Sequence, residues 1–536
     1  MERKGKREMY SANTKQFLRN AILMASASLF MRTVAVSFGA SLSRRMGTEG
    51  MGLYSLVMSV YNFAVTFATS GVHLAVTRTV SASFAKGEHE KARAYVKHAM
   101  GYAFFFSAVA SLVLLFGANA IGLRFLGDAR TIPALRCLAI SMIPLSLSTV
   151  MNGYFTARKK VSRNATVQVF EQFLRMSAVT LLLTYYLPRG LGYACVAIVM
   201  GGVIAEVGSF TLLLLEYLLD RRHYKGGYRE KDHISILKTI CSIAFPVAGS
   251  AYIRSGLLTV EHALIPTSIE KSGKTKTQAL SDYGMLQGMA LPIVLYPSAI
   301  LYGVSGLLIP EFAERNAKGE ESSIKRLCGK VLVYTALFGF GCAMLLYAFS
   351  RELGLLMYQS FDVGDFVGAL ALLLPVMFCD HVTDCILKGL GEQLWTMWVN
   401  ICDAGLSILF VCLLLPRMGI WGYVWVILLA ELFNFAFSFG RLLYVVKPRL
   451  SWQRLCFLPL ASGLCGIAFT KWLLPMDAAS SSLLWTILRM LFCLSVYIGL
   501  YIFLSALMPQ SSPSCQTKSS CCLKTNQSTY TITKKM

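Results

Sequence analysis

Long apolar runs recur from one end of this 536-residue chain to the other, and they constrain its fold more than any other feature. Residues 104–116 read FFFSAVASLVLLF, and residues 367–378 read VGALALLLPVMF. Each lies in a stretch long enough to cross a bilayer, which takes about 20 residues. In hydrocarbon a segment must satisfy its own backbone polar groups, so such runs become helices. Charged residues make up 15% of the chain and hydrophobic ones 55%, whereas soluble domains carry about 25% charged residues. A water-soluble core cannot bury that surplus. Soluble enzymes and fibrous proteins are therefore excluded. So are outer-membrane barrels, whose strands show only short alternating segments. The expected fold class is an all-α polytopic membrane protein.

Hydropathy places about fourteen transmembrane helices along the chain, the first near residues 17–42 and the last near 483–507. Span five falls near 165–187, span seven near 236–266, span eight near 282–309 and span ten near 364–388. The net charge of +23 reports topology. Arg3, Lys4, Lys6, Arg7 and Lys15 precede span one. Arg158, Lys159, Lys160 and Arg163 follow span four, and Arg221, Arg222, Lys225, Arg229 and Lys231 follow span six. Arg189 alone follows span five, and Arg417 alone follows span eleven. The positive-inside rule then puts both termini in the cytoplasm, as an even number of spans requires. The basic residues are scattered and no nucleic-acid-binding motif accompanies them, so nucleic acid is not an expected partner. The start MERKGKR precedes an apolar stretch too long for the core of a cleavable signal peptide.

The fifteen cysteines form no framework. Cys241, Cys342 and Cys402 lie in spans as small fillers, and Cys521 and Cys522 lie in the polar tail. No C-x-x-C pair suggests metal or redox chemistry, so free thiols are expected.

The chain repeats itself. SFAKGE at 83–88 returns as EFAERNAKGE at 311–320, and LPRGLGY at 187–193 returns as LPRMGIWGY at 415–423. The offset of roughly 230 residues holds six spans, an even number, so the halves are two parallel six-helix repeats. The expected organisation is a lobe over 1–230, a second over 231–450, two additional helices over 451–508, and a disordered Ser/Thr/Lys-rich tail over 509–536. Loops are short, so no sizeable outer domain is present to carry catalytic carboxylates. There is no Walker A motif, metal cluster or nucleophile–base pair, which argues against an enzyme.

Ionisable groups inside spans cost a few kcal/mol each and need a partner or a wet cavity. Arg32 lies midway along span one with no acid within a helical turn. It is either a cavity cation that meets an anionic substrate or half of an ion pair with another helix. Arg254 and Glu261 share one face of span seven, the repeat counterpart of span one. They read as a second cavity charge or as a structural pair between helices. Arg44 and Arg45 sit at the outer end of span one, at a cavity mouth or snorkelling to the interface. Glu171 and Arg175 are spaced i,i+4 in span five and are expected to neutralise each other. Asp380, Asp384 and Lys388 form a stripe in span ten with His381 adjacent, suited to Na⁺ or proton coupling or to a structural network. Glu206, Asp403 and Glu431 are acids without an assigned role. Gly284, Gly288, Pro292, Pro297 and Pro310 predict a bent span eight.

These stretches resemble the multidrug/oligosaccharidyl-lipid/polysaccharide (MOP) exporter superfamily, and within it the stage V sporulation protein B branch, kin to lipid II flippases. The resemblance rests on Arg32 before a helix end, on RRMGTEGMGLY at 44–54, on Gly71–Lys86 with SFAK closing span two, and on Tyr283–Glu314 ending LLIPEFAE. It implies a V-shaped two-lobed transporter of the bacterial cytoplasmic membrane, with spans one, two, seven and eight around a cationic cavity. Arg32 matches the first-helix cavity arginine. Spans thirteen and fourteen would form a groove for a lipid tail. The implied partner is a lipid-linked anionic glycan precursor, carried on undecaprenyl pyrophosphate and used in cell-wall, polysaccharide or spore-cortex synthesis. Membrane lipids and cell-wall synthesis enzymes are the other expected partners. No cofactor is implied, and coupling would come from Na⁺, H⁺ or the membrane potential. Lipid II flippases carry an arginine early in span eight, where this chain has Met285, Leu286 and Gln287. The alternative is a cation-coupled multidrug antiporter of the same fold.

Overall fold

The structure, a computed structural model, describes residues 2–158, 160–221, 233–448, 450–474 and 482–507. The tail over 509–536, with Cys521 and Cys522, and the basic loop over 222–232 lie outside those residues. The described chain is helical, without a strand. Ten helices are long and apolar enough to cross a bilayer, or twelve when each of two bent pairs counts as one span. The expected fourteen is reached only by two further readings. Ser28–Ala85 passes as one helix although it turns at Gly47, and the helix over Val161–Tyr186 is as long as its neighbours but too polar to pass.

The first half of the chain forms α1 (Glu2–Thr69), α2 (Val72–Ala85), α3 (His89–Ala120), α4 (Ile132–Ala157), α5 (Val161–Tyr186) and α6 (Leu191–Arg221). The second half forms α7 (His233–Glu270), α8 (Lys276–Tyr283), α9 (Leu291–Val294), α10 (Ser298–Ala317), α11 (Glu321–Ala348), α12 (Ser350–Tyr358), α13 (Phe361–Ala371), α14 (Leu374–Gly389), α15 (Gln393–Met418) and α16 (Ile420–Val446). A hairpin of α17 (Leu458–Leu473) and α18 (Leu483–Leu507) follows and packs on α11. Its Tyr497 hydroxyl donates to the Leu337 carbonyl at 2.8 Å, and Gly463 lies against Met344.

The internal repeat is visible as repeated turns. Gly87 (φ 73°) ends α2 and Gly319 (φ 68°) ends α10. In each the next amide reaches back five residues, Glu88 to the Ser83 carbonyl at 2.9 Å and Glu320 to the Arg315 carbonyl at 3.1 Å. This is the glycine-closed helix end that a left-handed residue permits. The K-G-E found twice in the sequence is that turn made twice, at what we call the basic end of the bundle.

Span eight bends as its prolines and glycines predict. Its two parts, Lys276–Val294 and Ser298–Ala317, meet at 61°. Span ten, read from sequence as one helix, is also broken, between α13 and α14 at 52°. The cause is Pro375 in the first turn of α14, which cannot donate a backbone hydrogen bond into the preceding helix. The helix α7 packs on both halves. Its Ile236, Ile240 and Ala244 enter the core of α2–α6, whereas its later turns lie along α15.

The halves also meet closely at the end opposite the basic one. Gly52 of α1 and Gly284 at the close of α8 occupy equivalent repeat positions and touch backbone to backbone. A Cβ on Gly284 would sit 2.5 Å from the Gly52 nitrogen. Beside them the hydroxyls of Thr48 and Ser281 are 2.5 Å apart, and Lys276 donates to the Gly127 carbonyl. Gly284→Ala is expected to destabilise the protein by about 1–3 kcal/mol, the usual cost of overpacking. Gly249→Ala, where a Cβ meets nothing within 4 Å, is expected to leave the melting temperature in detergent unchanged. Equal effects of the two substitutions would contradict this packing.

Candidate substrate cavity and its charge networks

Below the Gly52–Gly284 contact, beside the widened turn over Gly284–Ala290, lies a cavity of about 380 Å³ with Gln287 in its wall. Its walls come from α1, α4, α5 and α6 on one side, and from Gln287, Gly288, Pro292 and Tyr358 on the other. Two guanidiniums line it, Arg32 from α1 and Arg175 from α5, together with Gln172, Tyr54, Tyr61 and Glu206.

The two arginines differ in how they are compensated. Arg175 donates to Glu171 at 2.7 Å and lies 4.0 Å from Glu206. Glu206 is itself held by the Tyr61 hydroxyl. Arg32 has no ion pair among the described residues, and its buried Nε has no hydrogen-bond partner there. The buried Oε1 of Gln287 is likewise unpartnered. An uncompensated guanidinium at membrane depth requires water or an anion in the cavity.

The other residues singled out from sequence lie elsewhere. Arg44 is at the end opposite the basic one, where its Nε donates to the Met357 carbonyl at 2.9 Å and its terminal nitrogen to that of Leu356. It therefore ties α1 to α12. Arg45 is exposed at the same end. Arg254 is exposed on α7 and interacts electrostatically with Asp403 of α15. Glu261 is buried and accepts from the Tyr423 hydroxyl at 3.4 Å. Neither Arg254 nor Glu261 is in the wall of the cavity that holds Arg32. Sequence reasoning gave Arg175 to Glu171, and that pair is present. It did not find Arg175 in the cavity wall or Glu206 behind it, because contact between α5 and α6 leaves no mark in local spacing.

The acids of the second half gather between α7, α14, α15 and α16. Asp380 interacts with Glu431, Asp384 and Asp403, and Glu261 interacts with Asp403. Asp384 pairs with Lys388 at 3.3 Å, and His381 Nε2 is 2.8 Å from the Ser305 hydroxyl. One carboxylate oxygen each of Asp380, Asp384 and Asp403 is buried without a hydrogen-bond partner. Among the described residues no three His, Cys, Asp or Glu side chains come together as a metal site.

A further network braces the first half near Gly52. Arg130 bridges Asp128 and Glu49, each at 2.7 Å. Burial pushes the Asp128 carboxyl up, but the hydrogen bonds from Arg130 outweigh it and hold its pKa below the ordinary 3.8. A depressed carboxyl stabilises the fold fully above its unfolded pKa, and the gain disappears as pH falls through the folded value. The wild type is therefore expected to melt above Asp128→Asn at neutral pH, with the gap closing below about pH 4. A gap independent of pH would contradict the network. Arg175→Gln leaves two carboxylates facing each other and is expected to cost about 2 kcal/mol. Arg32→Gln removes no partner and is expected to leave the melting temperature unchanged.

Comparison with known proteins bears on the same regions. The family model described as polysaccharide biosynthesis protein matches residues 17–314, and the MatE model matches residues 272–413. Stage V sporulation protein B of Bacillus subtilis (strain 168) is 24% identical over 413 residues, covering 76% of this chain and 79% of that protein. Among solved structures, the lipid II flippase MurJ in an inward closed conformation aligns over 91% of this chain and all of its own (100%), with TM-score 0.63 at 14% identity. The inward-facing conformation of a multidrug resistance MATE family transporter of the MOP superfamily covers 80% of this chain and 99% of its own, with TM-score 0.61 at 14% identity.

Proposed function

The chain belongs to the polysaccharide biosynthesis protein family and has the MOP exporter fold, and from that premise we propose that it is a flippase for a lipid-linked, pyrophosphate-bearing cell-wall or polysaccharide precursor. The observation that carries this reading is the unpaired guanidinium of Arg32 in the cavity wall. A pyrophosphate bears two or more negative charges and cannot cross hydrocarbon bare. A guanidinium presents its donors as a fork that matches phosphate oxygens. Gln172 and Gln287 add polar side chains on the two opposing walls. The polyprenyl tail stays in lipid while the headgroup passes between the halves, which rock about their contact.

The basic end would face the cytoplasm, with both termini on that side, since Lys and Arg are retained there. Coupling would fall to the acid group in the second half. Asp380 and Asp384, with Asp403 and Glu431, offer hard oxygen donors that suit Na⁺ or protons. Precursors of the spore cortex are one use that the likeness to stage V sporulation protein B supports.

A second reading has its own observation. The MatE match over 272–413 contains Asp380, Asp384 and Asp403, as a cation-coupled drug antiporter would. The cargo separates the two, because drugs exported in that way are mostly cationic and Arg32 repels them.

Growth rescue tests the proposal. Cells depleted of their lipid II flippase should grow when they express this chain, and Arg32→Ala should abolish rescue at equal membrane levels. Rescue that survives Arg32→Ala would contradict transport by this cavity. Efflux of a cationic dye without rescue would support the antiporter.

A further inference from the structure

A second cavity of about 490 Å³ lies at the basic end and shares no wall residue with the central one. The α2–α3 hairpin builds most of it. Arg78 and Lys86 stand two helical turns apart on α2 and its cap, and Lys91 and Tyr95 stand one turn apart on α3. The first turns of α7 close the far wall with Ser242. Lys91 is paired with Glu88 at 3.3 Å. Arg78 and Lys86 make no hydrogen bond or ion pair among the described residues. Among the described residues three cations and one acid thus face an open cleft, and Arg78 and Lys86 there have no counter-charge. Such a cleft concentrates the field and selects an anion over the surrounding solvent.

We propose that this cleft is a binding site for a phosphate group, separate from the transport cavity. Arg78 supplies a planar fork and Lys86 a point charge, the pairing that phosphate oxygens favour over a single carboxylate. The cleft lies at the ends of helices that cross the bilayer, at headgroup depth, where anionic lipids attract basic side chains. A phosphate seated there bridges α2 and α3 to α7. It sits two turns beyond Gly71, whose backbone packs against the Ala244 carbonyl of α7. Occupancy would therefore hold the basic-end half of α7 on the first half of the molecule. The inference does not depend on what crosses the central cavity.

The test uses the full chain purified in neutral detergent. Native mass spectrometry reads binding of phosphatidylglycerol, undecaprenyl phosphate and inorganic phosphate, with phosphatidylcholine as the zwitterionic control. The wild type is expected to bind a phosphate-bearing probe in preference to phosphatidylcholine. Arg78→Gln with Lys86→Gln should weaken that binding roughly tenfold or more. The charge-preserving pair Arg78→Lys with Lys86→Arg should retain most of it, and the loss should be equally large in an Arg32→Gln background, where the central cavity no longer contributes. Competition by inorganic phosphate would mark a soluble anion as the source, and its failure to compete would mark a lipid headgroup. Melting without ligand checks that each variant is folded. Undiminished binding by the folded Gln pair in the Arg32→Gln background, or equal binding of phosphatidylcholine, would overturn the proposal.

Discussion

The backbone contact between Gly52 and Gly284 is the constraint on which the rest of the molecule depends. Two helices from opposite halves approach there with no side chain between them, so their separation is set by main-chain atoms alone. The contact lies on equivalent residues of the two repeats, and one small residue chosen once serves both sides. Thr48, Ser281, Arg44 and Lys276 gather around it and tie the same ends together. Immediately beyond it the helix widens over Gly284–Ala290, and the space that opens is the central cavity.

Electrostatics then decides what that space can hold. Arg175 is answered by Glu171 and Glu206, so it contributes shape and rigidity more than a free charge. Arg32 is not answered, and an unanswered charge at membrane depth costs a few kcal/mol unless water or an anion relieves it. A fold that retains such a residue in a cavity wall is poised for an anion. The acids of the second half are not in the wall of the cavity that holds Arg32. Arg32, proposed to meet cargo, and the acids proposed for ion coupling are therefore on different halves.

Much of this was legible in the sequence, for reasons that are local. Apolar runs fix where helices cross, and K-G-E and L-P-R mark turns because glycine and proline act on their own backbone. The bend in span eight was visible in its prolines, yet the break before Pro375 was not read although it has the same cause. What the sequence conceals is contact between distant helices. Arg44 gave a charge at a helix end but no sign that it would bond to the carbonyls of Leu356 and Met357. Arg254 and Glu261 share one helix face as their spacing predicts, yet that face turns toward Asp403 and Tyr423 instead of toward Arg32. The pairing of Glu206 with Tyr61 and Arg175 is set by helix packing, which no periodicity records.

The central claim is that an anionic headgroup crosses through the cavity at Arg32. Its most direct measurement is translocation of a fluorescent undecaprenyl-pyrophosphate-linked sugar in proteoliposomes, read as protection from a membrane-impermeant quencher, for wild type, Arg32→Ala and Arg32→Lys. The account predicts transport by the wild type, none by Arg32→Ala and partial recovery with Arg32→Lys. Equal transport by all three would contradict it.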